Sequence, residues 1–147
     1  MPVVHSGTIL DVMPLDEGIL GFSNRWYRVA MEAATTHQLF RGLEIRVVTA
    51  AYFLATKLEA FRGRGRGDFL ASHDLEDLIF VIDGRSTIVE EAQTEEPLLR
   101  EYLHAEITGL LATPEFIDAL PGYLLPDAAS QARIGTVLRR LKAVASA

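Results

Sequence analysis

The stretch TAAYFLATKLEAFR, residues 49–62, marks the point where this 147-residue chain changes from strand-like to helical sequence. Its large apolar residues recur at helical spacing, as Phe53, Leu54, Leu58 and Phe61. Lys57 falls on the same stripe, although a lysine is rarely fully buried unless it is paired. Either its stem lies on the core while the ammonium reaches water, or the helix faces a cleft that needs a cation.

The sequence before Thr49 predicts a small sheet with one helix. We expect a strand of about six residues within residues 3–14, ending at Pro14, because β-favouring residues precede the proline. Residues 18–22 are a further short strand candidate. The remaining predicted elements are an N-cap at Ser23, a helix over residues 24–35, and a hairpin over residues 37–48 that turns at Arg41 and Gly42.

The sequence after Thr49, itself a plausible N-cap, predicts helices throughout. Their expected ranges are 50–62, 73–83, 86–93, 96–112, 114–120 and 128–145. The predicted fold class is therefore α+β, with a small sheet in residues 1–48 followed by a helical bundle in residues 49–147, the bundle forming one compact unit.

Composition restricts the class of protein. The net charge of −6 argues against a dedicated nucleic-acid binder. The chain has no cysteine, which excludes disulfides and thiolate metal sites and fits a reducing cytoplasm. No apolar run is long enough to cross a membrane, and the first residues lack the features of a signal peptide. We therefore expect a cytoplasmic protein with no membrane partner.

Three acidic residues are candidates for a site. Asp11 is a lone acid in an apolar strand, and either faces water on a half-solvated sheet or points into a site. Asp74 and Asp77 are three residues apart, so they share one face of the helix that begins near His73. The simpler interpretation of that pair is a solvated face, with Asp74 favourable to the helix N-terminus.

The arginine–glycine repeat of residues 62–67 lies between the lysine helix and the aspartate helix. Guanidinium groups separated by glycines can wrap a phosphate or an RNA. A mobile, solvated loop is the more frequent outcome for so short a repeat. The four histidines have no metal-ligand spacing, and no P-loop, GxGxxG or GxSxG motif is present.

The order of these features resembles the second half of AbiEii-type nucleotidyltransferases, the toxin components of bacterial toxin–antitoxin and abortive-infection systems in the DNA polymerase β-like superfamily. The helix of that family carries a K-x-x-A pattern, matched here by Lys57 and Ala60. A loop with arginines follows, and then D-x-x-D-L, matched by Asp74, Asp77 and Leu78. Upstream, residues 9–14 are similar to the strand that carries the third metal-binding carboxylate. The resemblance covers residues 8–85.

The resemblance implies a truncated nucleotidyltransferase-like sheet and a nucleotidyl-transfer reaction that uses Mg²⁺ and a nucleoside triphosphate. Asp11 would bind the metal, and Asp74 and Asp77 would be catalytic. Asp74 would be the base or orienter for an RNA or protein acceptor, and Asp77 would hold the local helix or Lys57. The nucleotide phosphates would be bound by four cations, Lys57, Arg62, Arg64 and Arg66.

The family's first motif, Gly-Ser followed by D-x-D or D-x-E, has no match upstream of Asp11, and the chain has no Gly-Ser pair. We therefore expect two of three metal carboxylates to be absent, either because a longer gene product carries them or because the chain is a degenerate descendant. Two functions remain open. One is a nucleotidyltransferase that is completed by missing residues or by a partner chain. The other is a non-catalytic module that binds a nucleotide, an RNA, a cognate antitoxin or a second copy of itself.

Overall fold

The structure is a computed structural model that describes residues 24–64 and 67–146, together with Gly18 and the backbone of residues 2–5 and 8–11. Short antiparallel strand pairs occupy its N-terminal part, and helices follow. This confirms the predicted α+β class with a small sheet ahead of a helical region. Within the part of the chain described, no helix combines the length and the apolar character that crossing a membrane requires.

The first strand pair contains one strand more than the single strand predicted within residues 3–14. Strand β1 (Pro2–His5) pairs with strand β2 (Thr8–Asp11), with Pro2 opposite Asp11. Ser6 and Gly7 separate the two runs in the sequence. Both are turn-forming residue types, a signal that the single-strand prediction overlooked. Three other predictions lie outside the described residues. They are the strand end at Pro14, the strand over residues 18–22 apart from Gly18, and the Ser23 cap.

Helix α1 (Trp26–Glu32) is shorter than predicted because the chain enters a strand at Thr35. The side-chain oxygen of Asn24 accepts a hydrogen bond from the Trp26 amide at 3.2 Å. The predicted hairpin is confirmed as strand β3 (Thr35–Gln38) paired with strand β4 (Glu44–Val47), with a single 3₁₀ turn at Phe40–Gly42 between them.

The helical region agrees with the predicted positions within about two residues at most ends, the usual uncertainty of helix boundaries. Thr49 caps the first helix of this region through its side-chain oxygen, which accepts from the Tyr52 amide at 3.4 Å. The helices are α2 (Ala50–Arg64), α3 (His73–Gly84), α4 (Ile88–Thr94), α5 (Pro97–Leu111), α6 (Pro114–Ala119), α7 (Ala128–Gln131) and α8 (Ile134–Ala145).

The last predicted helix, over residues 128–145, was wrong as a single element. It is divided into α7 and α8 at Ala132 and Arg133. Asp127 caps α7 by accepting from the Ser130 amide at 2.9 Å. The Arg133 guanidinium binds the carboxylate of Asp83 at 3.0 Å, which fixes the start of α8 against the end of α3. A tertiary ion pair therefore lies where the sequence pattern predicts continuous helix.

One apolar core joins the helices. Trp26 of α1 lies against Tyr52 and Tyr102, with ring centroids 6.1 and 4.9 Å away. From α8, Arg140 donates to the Ile82 carbonyl at 2.8 Å and so satisfies the C-terminal end of α3. The largest fully buried side chains are Leu54, Leu58, Leu75, Leu78, Ile79, Ile82, Ile88, Leu99, Leu103, Ile107, Phe116 and Leu120. Helices α2 and α3 are thus fixed on several sides, and they position the candidate site.

Candidate functional site

The candidate site lies where the middle and end of α2 face the first two turns of α3. Ser72 caps α3 by accepting from the Leu75 amide at 3.3 Å. This cap starts the helix so that Asp74 falls in its first turn and Asp77 one turn later. A carboxylate in the first turn is favoured by the partial positive charge of the helix N-terminus. The sequence therefore places both aspartates on one face by local rules alone.

The Lys57 ammonium lies between the two aspartates. Its Nζ is 2.5 Å from Oδ2 of Asp77 and 3.6 Å from Oδ1 of Asp74. It also lies 5.4 Å from the centre of the Phe53 ring. The Lys57 side chain is 23% exposed, so its stem is largely covered while the ammonium sits at an edge. The structure thus places Lys57 within ion-pair distance of both Asp74 and Asp77.

A second cation shares Asp74. The Arg64 guanidinium donates from Nε to Oδ2 at 3.1 Å and from Nη2 to Oδ1 at 2.9 Å. The hydrogen bonds from Arg64 to Asp74 raise the pKa of the guanidinium above its ordinary value. Asp74 is buried, which overturns the simpler expectation of a solvated position for this residue, whereas the Asp77 side chain is 50% exposed. The two-point pairing of Arg64 with Asp74 is a contact that sequence reasoning missed.

The other predicted residues lie elsewhere or outside the described part of the chain. Arg62 pairs with Glu106 of α5 at 2.8 Å, and the charge of Glu106 is the main cause of the raised pKa of Arg62. Asp11 lies in β2, where its backbone is opposite Pro2 of β1. The side chain of Asp11 is outside the described residues. Arg66 is also outside them. The structure thus brings together Lys57, Arg64, Asp74 and Asp77.

The four charges of this cluster balance, and the exposure of the two carboxylates, 9% for Asp74 and 50% for Asp77, divides them into two pairs. The cations do not follow this division, since the Arg64 side chain is 47% exposed and that of Lys57 is 23% exposed. Arg64 and Asp74 form the inner pair, since both oxygens of a buried carboxylate are engaged. Lys57 and Asp77 form the outer pair, since Asp77 is half exposed. A two-point guanidinium contact fixes geometry, whereas an ammonium is a single charge that can change partners. The outer pair is therefore the part of the cluster that can open toward a ligand.

The described carboxylates do not fit the Mg²⁺ that the family resemblance implies. No group of three or more histidines, aspartates or glutamates within the described residues is arranged to hold a metal ion. Both oxygens of Asp74 accept from Arg64, and Asp77 is 2.5 Å from the Lys57 ammonium. A divalent cation would have to replace these positive groups, which already neutralise the carboxylates.

Comparison of the chain with known protein families, with curated proteins and with solved structures finds no match.

Proposed function

We propose that this chain is a nucleotidyltransferase-like module of the bacterial toxin–antitoxin class, in which Lys57 binds the phosphates of a nucleoside triphosphate. The observation that supports this is the convergence of the Lys57 ammonium with both aspartates of the D-x-x-D motif, at 2.5 and 3.6 Å. The resemblance implies these same three residues, one lysine and two aspartates, in one site. The metal-binding carboxylates would come from residues or from a partner chain other than the described cluster.

Binding would use the outer pair. A triphosphate that approaches the edge of the cluster would displace the half-exposed carboxylate of Asp77 and take its place on the Lys57 ammonium. The inner pair would stay intact, because Arg64 holds Asp74 through two hydrogen bonds. Arg64 would thus keep α3 in position while Lys57 changes partner. The ammonium offers three donors to phosphate oxygens without imposing a plane on them.

The same geometry indicates which of the two aspartates is available to interact with the hydroxyl of the acceptor molecule. Both Asp74 oxygens are engaged by Arg64, so this carboxylate has little capacity to accept a proton from a hydroxyl. Asp77 becomes available when a phosphate takes its place on Lys57. We therefore propose Asp77, rather than Asp74, as the group that orients the hydroxyl of an RNA or protein acceptor in the cytoplasm.

The direct test is incubation of the purified chain with labelled nucleoside triphosphates, total RNA or cell extract, and Mg²⁺ or Mn²⁺. We expect little or no transfer by the chain alone, because the described carboxylates do not form a metal site. We also expect the nucleotide to bind at low salt, with an affinity that falls as salt screens the ammonium. Robust labelling that Asp11→Ala abolishes would contradict the need for further carboxylates. An absence of nucleotide binding at low salt would contradict the function itself.

A second candidate is a non-catalytic module that recognises an RNA or a protein such as a cognate antitoxin. The observation that favours it is the internal pairing of the candidate cations: Asp77 holds Lys57, Asp74 holds Arg64 and Glu106 holds Arg62. Cations that are already neutralised attract an anion weakly. Binding of an RNA or protein partner by a wild-type chain that binds no nucleoside triphosphate at low salt would support this candidate over the first.

A further inference from the structure

The hairpin of β3 and β4 presents to solvent a face that is apolar on β4 and toward the tip, and that carries the hydrogen-bonded pair Thr35 and His37 on β3. Thr35 lies opposite Val47, and His37 lies opposite Ile45, so these four side chains share one face of the hairpin. Leu39 and Leu43 continue that face toward the tip, where the Leu39 amide donates to the Leu43 carbonyl at 2.7 Å. The exposed fractions of the apolar side chains are 38% for Ile45, 39% for Val47, 41% for Leu39 and 55% for Leu43. Two strands with an open apolar face are at best marginally stable alone.

An open groove of about 700 Å³ begins at the base of this face. Thr35 and Val47 form one wall of it, and Phe53, Phe80 and Val81 belong to the helices that line it. Phe80 is 78% exposed even though it is a phenylalanine on a helix that packs in the core. The face and the groove therefore form one apolar surface, of the kind that marks a protein-binding site on a soluble domain.

The tip of the hairpin carries an aromatic residue and a cation. Phe40 is 79% exposed. Arg41 follows it with φ of 60°, a left-handed conformation that arginine adopts at a cost and that glycine or asparagine would adopt more easily. Arg41 has no ion-pair partner in the described ranges 24–64 and 67–146. A strained, exposed arginine at a turn is a candidate recognition residue, because strain of this kind collects at binding sites.

The base of the hairpin is acidic where the tip is basic. Thr49, which lines the groove, donates to the Glu95 carboxylate at 3.2 Å. Glu91 lies in the groove wall beside Arg85, which it pairs with at 2.7 Å. With Arg85 paired to Glu91, Glu95 is a carboxylate at this end that has no ion-pair partner within residues 24–64 and 67–146. The tip has the positive charge of Arg41, so the two ends of the apolar surface are complementary to each other.

We propose that this surface binds a second copy of the chain, with the two hairpins lying antiparallel across a two-fold axis. In that arrangement each tip meets the base of the other hairpin, because the same surface serves both copies in opposite directions. Phe40 of each copy would enter the groove between Phe53 and Phe80 of the other, and Arg41 would approach Glu95. The packing of two hairpin faces would also bury the apolar side chains that a lone hairpin leaves exposed to water. This inference does not depend on the proposed function.

Sedimentation equilibrium of the full chain tests the proposal, and we expect a concentration-dependent dimer. Phe40→Ser should weaken the dimer by at least about tenfold, as expected for loss of a central aromatic anchor. Leu70→Ser is the matched control, since Leu70 is 86% exposed and lies outside this surface; it should leave the dimer unchanged. Arg41→Asn should weaken the dimer while raising the thermal stability of the fold, because the turn strain is relieved.

Reversal of the charges at Arg41 and Glu95 distinguishes the antiparallel hairpin dimer from other modes of association. Arg41→Glu and Glu95→Arg should each weaken the homodimer by placing like charges opposite each other. Mixing the two variants should give a heterodimer, since both contacts then join opposite charges. Circular dichroism and thermal melting of each variant distinguish a lost interface from a lost fold. A wild-type chain that stays monomeric at all attainable concentrations would overturn the proposal. So would a dimer that Phe40→Ser and both charge variants leave intact.

Discussion

Arg64, the last residue of α2, binds both carboxylate oxygens of Asp74 in the first turn of α3, at 3.1 and 2.9 Å. This contact joins the end of α2 to the start of α3, two helices that together supply much of the core. It also leaves the neighbouring Lys57 ammonium, 3.6 Å from the same carboxylate, to the more exposed Asp77. The cluster is therefore divided into an inner pair that holds the fold and an outer pair that can exchange partners.

The inner pair should contribute measurably to stability. Arg64→Met leaves the buried Asp74 carboxylate with only the more distant Lys57 ammonium, so we expect a loss of about 1–3 kcal/mol in the free energy of unfolding. Urea denaturation measures it. Arg139→Met on the exposed face of α8 is the control, because among the described residues the guanidinium bonds only to Thr136. It should change stability by less than about 0.5 kcal/mol. Equal effects of the two substitutions would mean that the pair does not hold the helices.

The outer pair should contribute little to stability. Lys57→Met keeps an unbranched apolar stem on the apolar stripe of α2 and leaves no buried charge unpaired, because Arg64 still holds Asp74. We expect the free energy of unfolding to change by less than about 1 kcal/mol. Urea denaturation beside Arg64→Met provides the comparison. A loss as large as that of Arg64→Met would show that Lys57 is structural, which would remove the main support for a binding role.

Tyr52 should make the fold sensitive to alkaline pH. Burial, helped by its hydrogen bond to Glu96 at 3.0 Å and by the charges of Glu96 and Glu95, raises the pKa of Tyr52 from 10.0 to about 12. Because the folded pKa lies above the unfolded pKa, this stabilisation is complete below pH 10 and is lost as the pH rises toward about 12. Free energies of unfolding measured across this window should fall more steeply for the wild type than for Tyr52→Phe. Parallel curves would contradict the assignment.

The sequence predicts the helices well because their signals are local. The apolar stripe of α2, the Ser72 cap of α3 and the proline that opens α6 are each read from a few adjacent residues. The same reasoning placed Asp74 and Asp77 on one face toward Lys57. It missed β1, because the turn signal of Ser6 and Gly7 was overlooked.

Other features of the site depend on contacts that are distant in the sequence. Nothing local indicates that Arg64 turns to Asp74 while Arg62 turns to Glu106. The alternation of Leu43, Ile45 and Val47 predicts a strand with a buried face, and the strand is present, but all four residues of β4 are exposed. Burial of that face depends on what lies against it, which hydrophobic periodicity does not specify.

The most direct measurement for the nucleotide-binding role of Lys57 is calorimetric titration of nucleoside triphosphate at low salt into three variants and the wild type. Lys57→Ala should abolish or strongly weaken binding, and Lys142→Ala, at an exposed position of α8, should leave it nearly unchanged. Asp77→Asn should tighten binding by about fivefold, because it removes the carboxylate that competes for the ammonium and repels phosphate, an effect of about 1 kcal/mol. Equal losses from both lysine substitutions together with no gain from Asp77→Asn would contradict the account.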